Sequence, residues 1–166
     1  DARAVRTASQ LVESYLAAGI AVQALKHLTG RERPERQSRP RGVWRFFPNQ
    51  SEYHRSIPKF DAFPSGHTAG AMGMVTVLIE NYPEVKWLRP VGYAAVGLVT
   101  VSLVSRGWHW YSDFPLALVI GYQFGRIAAH PEPDEEEKTA QRTTPTFSLS
   151  PSLRETGAGV MVSWTF

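Results

Sequence analysis

Apolar stretches without charge, each long enough to form a helix, most constrain how this chain can fold. One of them runs from Pro90 to Ser105, 16 residues that are rich in Val, Leu and Ala. A helix that is apolar on all sides is either buried in a protein or lies in a membrane, and this segment approaches the length of a membrane span. The apolar stretches predict helices over 8–29, 66–81, 87–105 and about 112–129. We therefore expect an all-α helical bundle.

The first 60 residues are predicted to contain one helix followed by one long loop. No charged residue stands between Ser14 and Leu25, which predicts a first helix that is buried on nearly all sides. The segment 34–60 is predicted to be a long loop, because four prolines interrupt it and no apolar period survives. The arginine-rich stretch 31–45 is either a solvated face or, as we favour, a rim that attracts anions or contacts anionic lipid head groups. The arginines and aromatic residues of the loop include Arg36, Arg39, Arg41, Arg45, Trp44, Phe46 and Phe47.

The positive charge of the chain is concentrated in its first third. Residues 1–60 contain 11 Lys and Arg against 5 acidic residues, whereas 61–130 contain 4 against 4 and 131–166 contain 3 against 6. The net charge is only +3, and no nucleic-acid-binding motif accompanies the basic third, so no nucleic-acid partner is expected. The absence of cysteine excludes a disulfide scaffold and thiolate metal sites.

The composition divides the chain after His130. We expect a helical domain over 1–130, an acidic linker over 131–142 and a C-terminal tail over 143–166. Apolar and polar residues alternate in the tail, which predicts a strand or a hairpin. The chain begins inside a helical pattern, so we also expect further helices ahead of it in the whole protein.

Polar clusters stand where the predicted apolar helices begin or end. Charges at such positions are best explained if the helix ends meet in one pocket. Cations together with the N-terminus of a helix suit a tetrahedral oxyanion, and a glycine there lets the backbone approach it closely. Taken singly, the same residues fit ordinary helix caps and solvated cations. The clusters are Lys26 with Arg33-Pro34, then Pro64-Ser65-Gly66-His67, and then Ser105-Arg106 with His109 and Asp113.

Two histidines give such a pocket a chemistry beyond anion binding. His109 precedes Asp113 by one helical turn, so the carboxylate can accept a hydrogen bond from one imidazole nitrogen and leave the other free to attack phosphorus. His67 is then available to protonate the leaving oxygen. The scheme needs no metal. A purely structural His109–Asp113 pair and a zinc site formed with His67 stay open as alternatives, although the surrounding Lys and Arg would repel a metal cation.

The order and spacing of these motifs resemble the three-part signature of the type 2 phosphatidic acid phosphatase superfamily, which also includes bacterial acid phosphatases and vanadium haloperoxidases. The resemblance covers about residues 8–127. It implies an all-α bundle with the site at one end, in which His109 is the nucleophile that forms a phosphohistidine, Asp113 orients it and His67 is the general acid. The third motif is shorter than usual, since two residues separate Arg106 from His109 where the family has five. The implied phosphate-binding residues are Lys26, Arg33, Ser65, Gly66 and Arg106.

We therefore expect a metal-independent phosphatase that hydrolyses a phosphomonoester or a pyrophosphate without a cofactor. The apolar helices favour a lipid phosphate as substrate and association with a membrane, in a bacterial cell envelope with the site facing the periplasm. Two alternatives stay open, a vanadium-dependent haloperoxidase and a non-catalytic module that binds anions or membranes. The sequence leaves open both integral or peripheral attachment and the oligomeric state.

Overall fold

Five α-helices make up the first unit of the chain, Asp1–His130. The computed structural model describes residues 1–130 and, as backbone, the strands over 146–154 and 157–165. The prediction of an all-α bundle is confirmed. The helices are α1 (Ala2–Thr29), α2 (Gln50–Arg55), α3 (Gly66–Asn81), α4 (Leu88–Ser105) and α5 (Phe114–Ala129), and single turns of 3-10 helix stand at Pro34–Arg36 and Tyr111–Asp113.

The ends of α1 follow from its capping residues. The side chain of Asp1 accepts a hydrogen bond from the Arg3 N–H (2.9 Å), so the helix begins at Ala2 and not at residue 8 as the apolar pattern predicts. At the other end Gly30 adopts a left-handed conformation with φ of 49°, which glycine tolerates without steric cost. The chain therefore leaves the helix sharply at this glycine, as predicted.

The sequence predicts a loop over the whole segment 34–60, but the structure has a short helix within it. The short helix α2 begins after Asn49, whose side chain accepts hydrogen bonds from the backbone N–H groups of Ser51 (3.0 Å) and Glu52 (3.3 Å). Tyr53 is its one buried residue. A helix of six residues that buries a single side chain has no apolar period, and the period-based prediction therefore missed it.

Helix α3 is the centre of the bundle, since it packs against α1, α4 and α5. Small residues let these helices approach closely. A Cβ atom on Gly125 of α5 would lie 2.6 Å from the carbonyl oxygen of Gly73 in α3, so a side chain at this position would force the two helices apart. One cluster of buried core residues consists of Ala18, Val22, Ala69 and Ala117.

Apolar side chains on α1 and α4 are widely exposed. The prediction that α1 is buried on nearly all sides is wrong, because Ile20 is 72% exposed. Helix α4 packs mainly on α3, and only 11% of its residues are buried. In the described part of the chain, α4 is the helix whose length and apolar composition would let it cross a membrane. A charge-free sequence thus predicts an apolar helix, but not which neighbour covers it.

The second unit of the chain, Pro131–Phe166, contains a two-stranded antiparallel sheet. Strand β1 (Thr146–Arg154) pairs with β2 (Gly157–Thr165) in a register that runs from Thr146 opposite Thr165 to Arg154 opposite Gly157. The acidic linker predicted over 131–142 lies outside the described residues.

Candidate active site

Backbone hydrogen bonds hold the three polar clusters together at one end of the bundle. They join the segment after α1, the segment before α3 and the connection between α4 and α5. Because main-chain groups make these links, the relative positions of the clusters are set by the fold itself. The bonds run from the Ser65 N–H to the Asp113 carbonyl (3.2 Å), from the Ala62 N–H to the Arg31 carbonyl (3.0 Å) and from the Glu35 N–H to the Gly107 carbonyl (2.9 Å).

His109 is buried and its ring is fixed by one main-chain contact. The Nδ1 atom lies 2.6 Å from the carbonyl oxygen of Ala62. A carbonyl oxygen only accepts hydrogen bonds, so Nδ1 carries a hydrogen, and in the neutral imidazole Nε2 then keeps its lone pair. The predicted hydrogen bond from His109 to Asp113 is not the one that forms, because Oδ2 of Asp113 lies 3.6 Å from Nδ1. The carboxylate is therefore a close electrostatic neighbour of the ring.

Asp113 is completely buried and its carboxylate is compensated by two neighbours. Oδ2 accepts a hydrogen bond from the Trp110 N–H (2.7 Å), and Oδ1 forms an ion pair with the Arg31 guanidinium. The same Arg31 Nη1 donates to the Ser112 hydroxyl (2.8 Å). A buried carboxylate is tolerated only when such partners replace its lost hydration, so Arg31 and the Trp110 N–H hold Asp113 in place.

Sequence reasoning assigned Arg31 only to the arginine-rich stretch that follows α1 and missed this role. The structure places its guanidinium 4.5 Å from the ring centre of Trp44 and 5.4 Å from that of Trp110. Such contacts are favourable cation–π interactions, and they hold the side chain against the bundle. One signal was available in the sequence. Arg31 and Arg33 alternate just after the helix ends, and extended residues two apart point to the same side of a chain unless a turn intervenes.

Lys26 and Arg33, two of the predicted phosphate-binding residues, lie together and share a carboxylate that was not predicted. Arg33 donates two hydrogen bonds to Asp61, from Nε to Oδ1 (2.6 Å) and from Nη2 to Oδ2 (3.1 Å). The Lys26 ammonium lies 3.8 Å from Oδ2 of the same residue. Burial lowers the pKa of Lys26, and although the charge of Asp61 opposes this shift, the Arg33 guanidinium adds to it.

His67 stands in the first turn of α3 and is open to solvent. Its ring centre lies 6.2 Å from that of Trp108. Partial burial lowers the pKa of His67, and repulsion from His109 when that ring is protonated, and from Lys26 and Arg33, lowers it further. The imidazole therefore belongs to the same positively charged pocket as the other clusters.

Ser65 and Gly66 form the N-terminus of α3. The fully buried Ser65 hydroxyl accepts a hydrogen bond from the Thr68 N–H (3.4 Å) and donates one to the Thr68 hydroxyl (3.1 Å), so it caps the helix. At Gly66 a Cβ atom would meet only ordinary contact, 3.5 Å from Val22. Packing inside the protein thus does not require a glycine here.

Arg106 lies at the rim of the pocket and is exposed at the end of α4. Its guanidinium is 5.4 Å from the ring centre of Trp108, and that of Arg33 is 5.6 Å from the same ring. Gly107 makes the turn between Arg106 and Trp108 with a φ of 69°. The shortened third motif therefore still delivers Arg106 to the ring that Arg33 contacts. Within residues 1–130, no carboxylate lies within 4 Å of the Arg106 guanidinium.

The described residues contain no group of three or more His, Cys, Asp and Glu side chains that is arranged to hold a metal ion. What the site does offer is cationic and neutral donors around two histidines. This arrangement suits a phosphoryl group, whose charge is spread over several oxygens.

The chain matches the family model of the PAP2 superfamily over residues 7–135. It belongs to the PAP2 superfamily. Membership in that superfamily indicates phosphatase-type activity on phosphorylated substrates. No curated protein and no solved structure matches the chain.

Proposed function

We propose that this PAP2 protein is a metal-independent phosphatase that hydrolyses a phosphomonoester or pyrophosphate through a phosphohistidine at His109. The observation that carries the proposal is the hydrogen bond from Nδ1 of His109 to the Ala62 carbonyl (2.6 Å). It supports a ring whose Nε2 lone pair is free to attack, which is the tautomer that a nucleophilic histidine needs.

In the proposed reaction, Nε2 of His109 attacks phosphorus and the bond to the leaving oxygen breaks as the new nitrogen–phosphorus bond forms. His67 gives its proton to the leaving oxygen, which departs as an alcohol or a phosphate. His67 then takes a proton from water, the resulting hydroxide attacks the phosphohistidine, and inorganic phosphate leaves. The free imidazole is regenerated at the end of the cycle.

The transition state carries negative charge on the equatorial phosphate oxygens, and the cations of the pocket are placed to stabilise it. We assign this role to Lys26, Arg33 and Arg106, together with the N–H of Gly66 at the start of α3. The phosphorylated imidazole of His109 is positively charged, and the Asp113 carboxylate 3.6 Å from Nδ1 stabilises that charge. Ser65 contributes as the cap that holds the helix start.

A lipid phosphate is the substrate that the surface around the site favours. Phe46 and Phe47 are 63% and 78% exposed, and residues 36–47 carry four arginines and no acidic residue. The Phe47 N–H donates to the Leu28 carbonyl (2.7 Å), so this loop lies at the same end of the bundle as Lys26. Exposed aromatic and arginine side chains are typical of protein surfaces that contact anionic lipids.

Association with a membrane follows from the same surface and from the exposed apolar helix α4, whose C-terminal end reaches the site. We propose a bacterial cell-envelope location with the site facing the periplasm, with which the absence of cysteine is compatible. The helix would then end at the level where the lipid head groups begin, and the phosphate of a lipid would meet the pocket at that level.

Replacing His109 should abolish hydrolysis. We expect His109→Ala to lose all detectable turnover of lipid and soluble phosphate esters assayed side by side, because no other group replaces the nucleophile. The matched control is His130→Ala. His130 stands at the far end of α5, about 24 Å along the helix from the site, and pairs with Glu80 on the surface. Retained activity in the His109 variant, with both proteins folded, would contradict the proposal.

The lowered pKa of His67 predicts an acidic pH optimum. As the general acid, His67 must be protonated, so kcat/KM for an alkyl phosphate should fall as the pH rises through a value below the ordinary 6.5. An aryl phosphate with a good leaving group needs less help from this proton, and its kcat/KM should decline less. In His67→Ala this pH-dependent decline should disappear for both esters, and the alkyl ester should become a much poorer substrate than the aryl ester. Identical wild-type profiles for the two esters would contradict the assignment.

Removing the exposed aromatic pair should affect lipid substrates alone. For Phe46→Ser/Phe47→Ser we expect KM for a lipid phosphate in mixed micelles to rise about tenfold, which is the scale of one lost apolar anchor. The value of kcat/KM for a soluble ester should stay unchanged. Ile127→Ser is the control, since Ile127 is 59% exposed near the opposite end of α5. An equal loss for both substrates would show that the loop supports the fold and does not bind lipid.

A further inference from the structure

The carboxylate of Asp61 occupies the side of Arg33 that a phosphate would use. It accepts from Nε and Nη2, the two donors that lie parallel on one edge of the guanidinium. This paired edge is the one with which arginine binds carboxylate and phosphate oxygens alike. The remaining nitrogen, Nη1, lies 3.7 Å from Glu35, a longer and single contact. The Nε and Nη2 donors of Arg33, which together could bind two phosphate oxygens, are therefore already bound to Asp61.

Lys26 lies close to the same carboxylate. Its ammonium lies 3.8 Å from Oδ2 of Asp61, which is too long for a good hydrogen bond but close enough for strong attraction. The three side chains are only 12–16% exposed, so solvent screens their charges weakly. Without a neighbouring anion, the two buried cations would repel each other. Asp61 thus supplies the negative charge that the pair requires when no substrate is bound.

The main chain beside Asp61 is fixed, whereas its side chain is short, and its hydrogen bonds and ion pairs within residues 1–130 are with these two cations. The next residue, Ala62, donates its N–H to the Arg31 carbonyl (3.0 Å) and accepts from His109 (2.6 Å). A rotation of the Asp61 side chain can therefore open the Arg33 fork without moving the backbone that orients His109. A phosphate can therefore replace the Asp61 carboxylate on Arg33 without a larger rearrangement of the protein.

We infer that Asp61 is an internal stand-in for the substrate phosphate. It holds Arg33 and Lys26 in the free enzyme, gives way when a phosphate enters, and returns to the cations as the product phosphate leaves. The inference rests on the proposed phosphatase function. Its consequence is weaker binding of phosphate than two buried cations alone would give, and hence rapid release of the inorganic phosphate that would otherwise inhibit the enzyme.

The test is direct binding of inorganic phosphate and of vanadate, measured by calorimetry on the wild type and on Asp61→Asn. Asparagine keeps the shape and one acceptor oxygen but removes the competing charge. We expect about tenfold tighter binding and an equally lowered inhibition constant for product phosphate, since a like charge beside a bound anion opposes it strongly. Glu35→Gln is the matched control, because Glu35 is the other carboxylate near Arg33 but contacts it less closely. Its affinity should stay within about twofold of the wild type.

Two further variants, Asp61→Glu and Asp61→Ser, separate the effect of the charge on phosphate binding from the effect of side-chain shape. They also replace Asp61→Asn if that variant does not fold. The Glu variant keeps the charge and should not bind phosphate more tightly, whereas the Ser variant should. Unchanged or weaker binding in the neutral variants, with turnover retained, would overturn the inference and make Asp61 a residue that only positions Arg33. Absence of both phosphate binding and turnover in the wild type would instead overturn the proposed function and the inference with it.

Discussion

The buried negative charge of Asp113 is the constraint on which the rest of the site depends. A carboxylate with no solvent exposure is stable only when ion pairs and hydrogen bonds replace its water, since the cost of an unpaired buried charge is several kcal/mol. Arg31 and the Trp110 N–H meet this need, and the Asp113 carbonyl accepts from the Ser65 N–H. One residue therefore joins the segment after α1, the start of α3 and the start of α5.

The chemistry of the pocket follows from how its remaining charges are neutralised. Arg31 forms its ion pair with the buried Asp113, whereas the closest anionic partner of both Lys26 and Arg33 is the short side chain of Asp61. In our proposal the pair of Arg31 with Asp113 is structural, and the pairs of Lys26 and Arg33 with Asp61 are the ones that open to a substrate anion. The apolar, exposed face of α4 ends at the same pocket, and the proposed function places the phosphate of a lipid substrate there.

Much of this could be predicted from the sequence, because helices and motifs are local. The four long helices follow from apolar stretches, and Gly30 and Ser65 mark helix ends that the structure retains. What could not be predicted depends on contacts between distant segments. The acceptor for His109 is a main-chain carbonyl, which has no sequence signature. Asp61 becomes distinctive only when folding brings it to Lys26 and Arg33, and the spacing of Arg31 and Arg33 does not show that Asp113 is the partner of Arg31. The exposure of α1 was missed because an apolar sequence does not specify what covers it.

The most direct test of the central claim is to trap the covalent intermediate. His67→Ala should be mixed with an aryl phosphate, whose leaving group needs little protonation, so that attack by His109 proceeds while hydrolysis of the intermediate is slow. Rapid quenching in alkali, which preserves a nitrogen–phosphorus bond, followed by peptide mass spectrometry should find one phosphate on His109 in most molecules. Continued release of the aryl alcohol with no phosphate on His109, or with phosphate on another residue, would contradict the account.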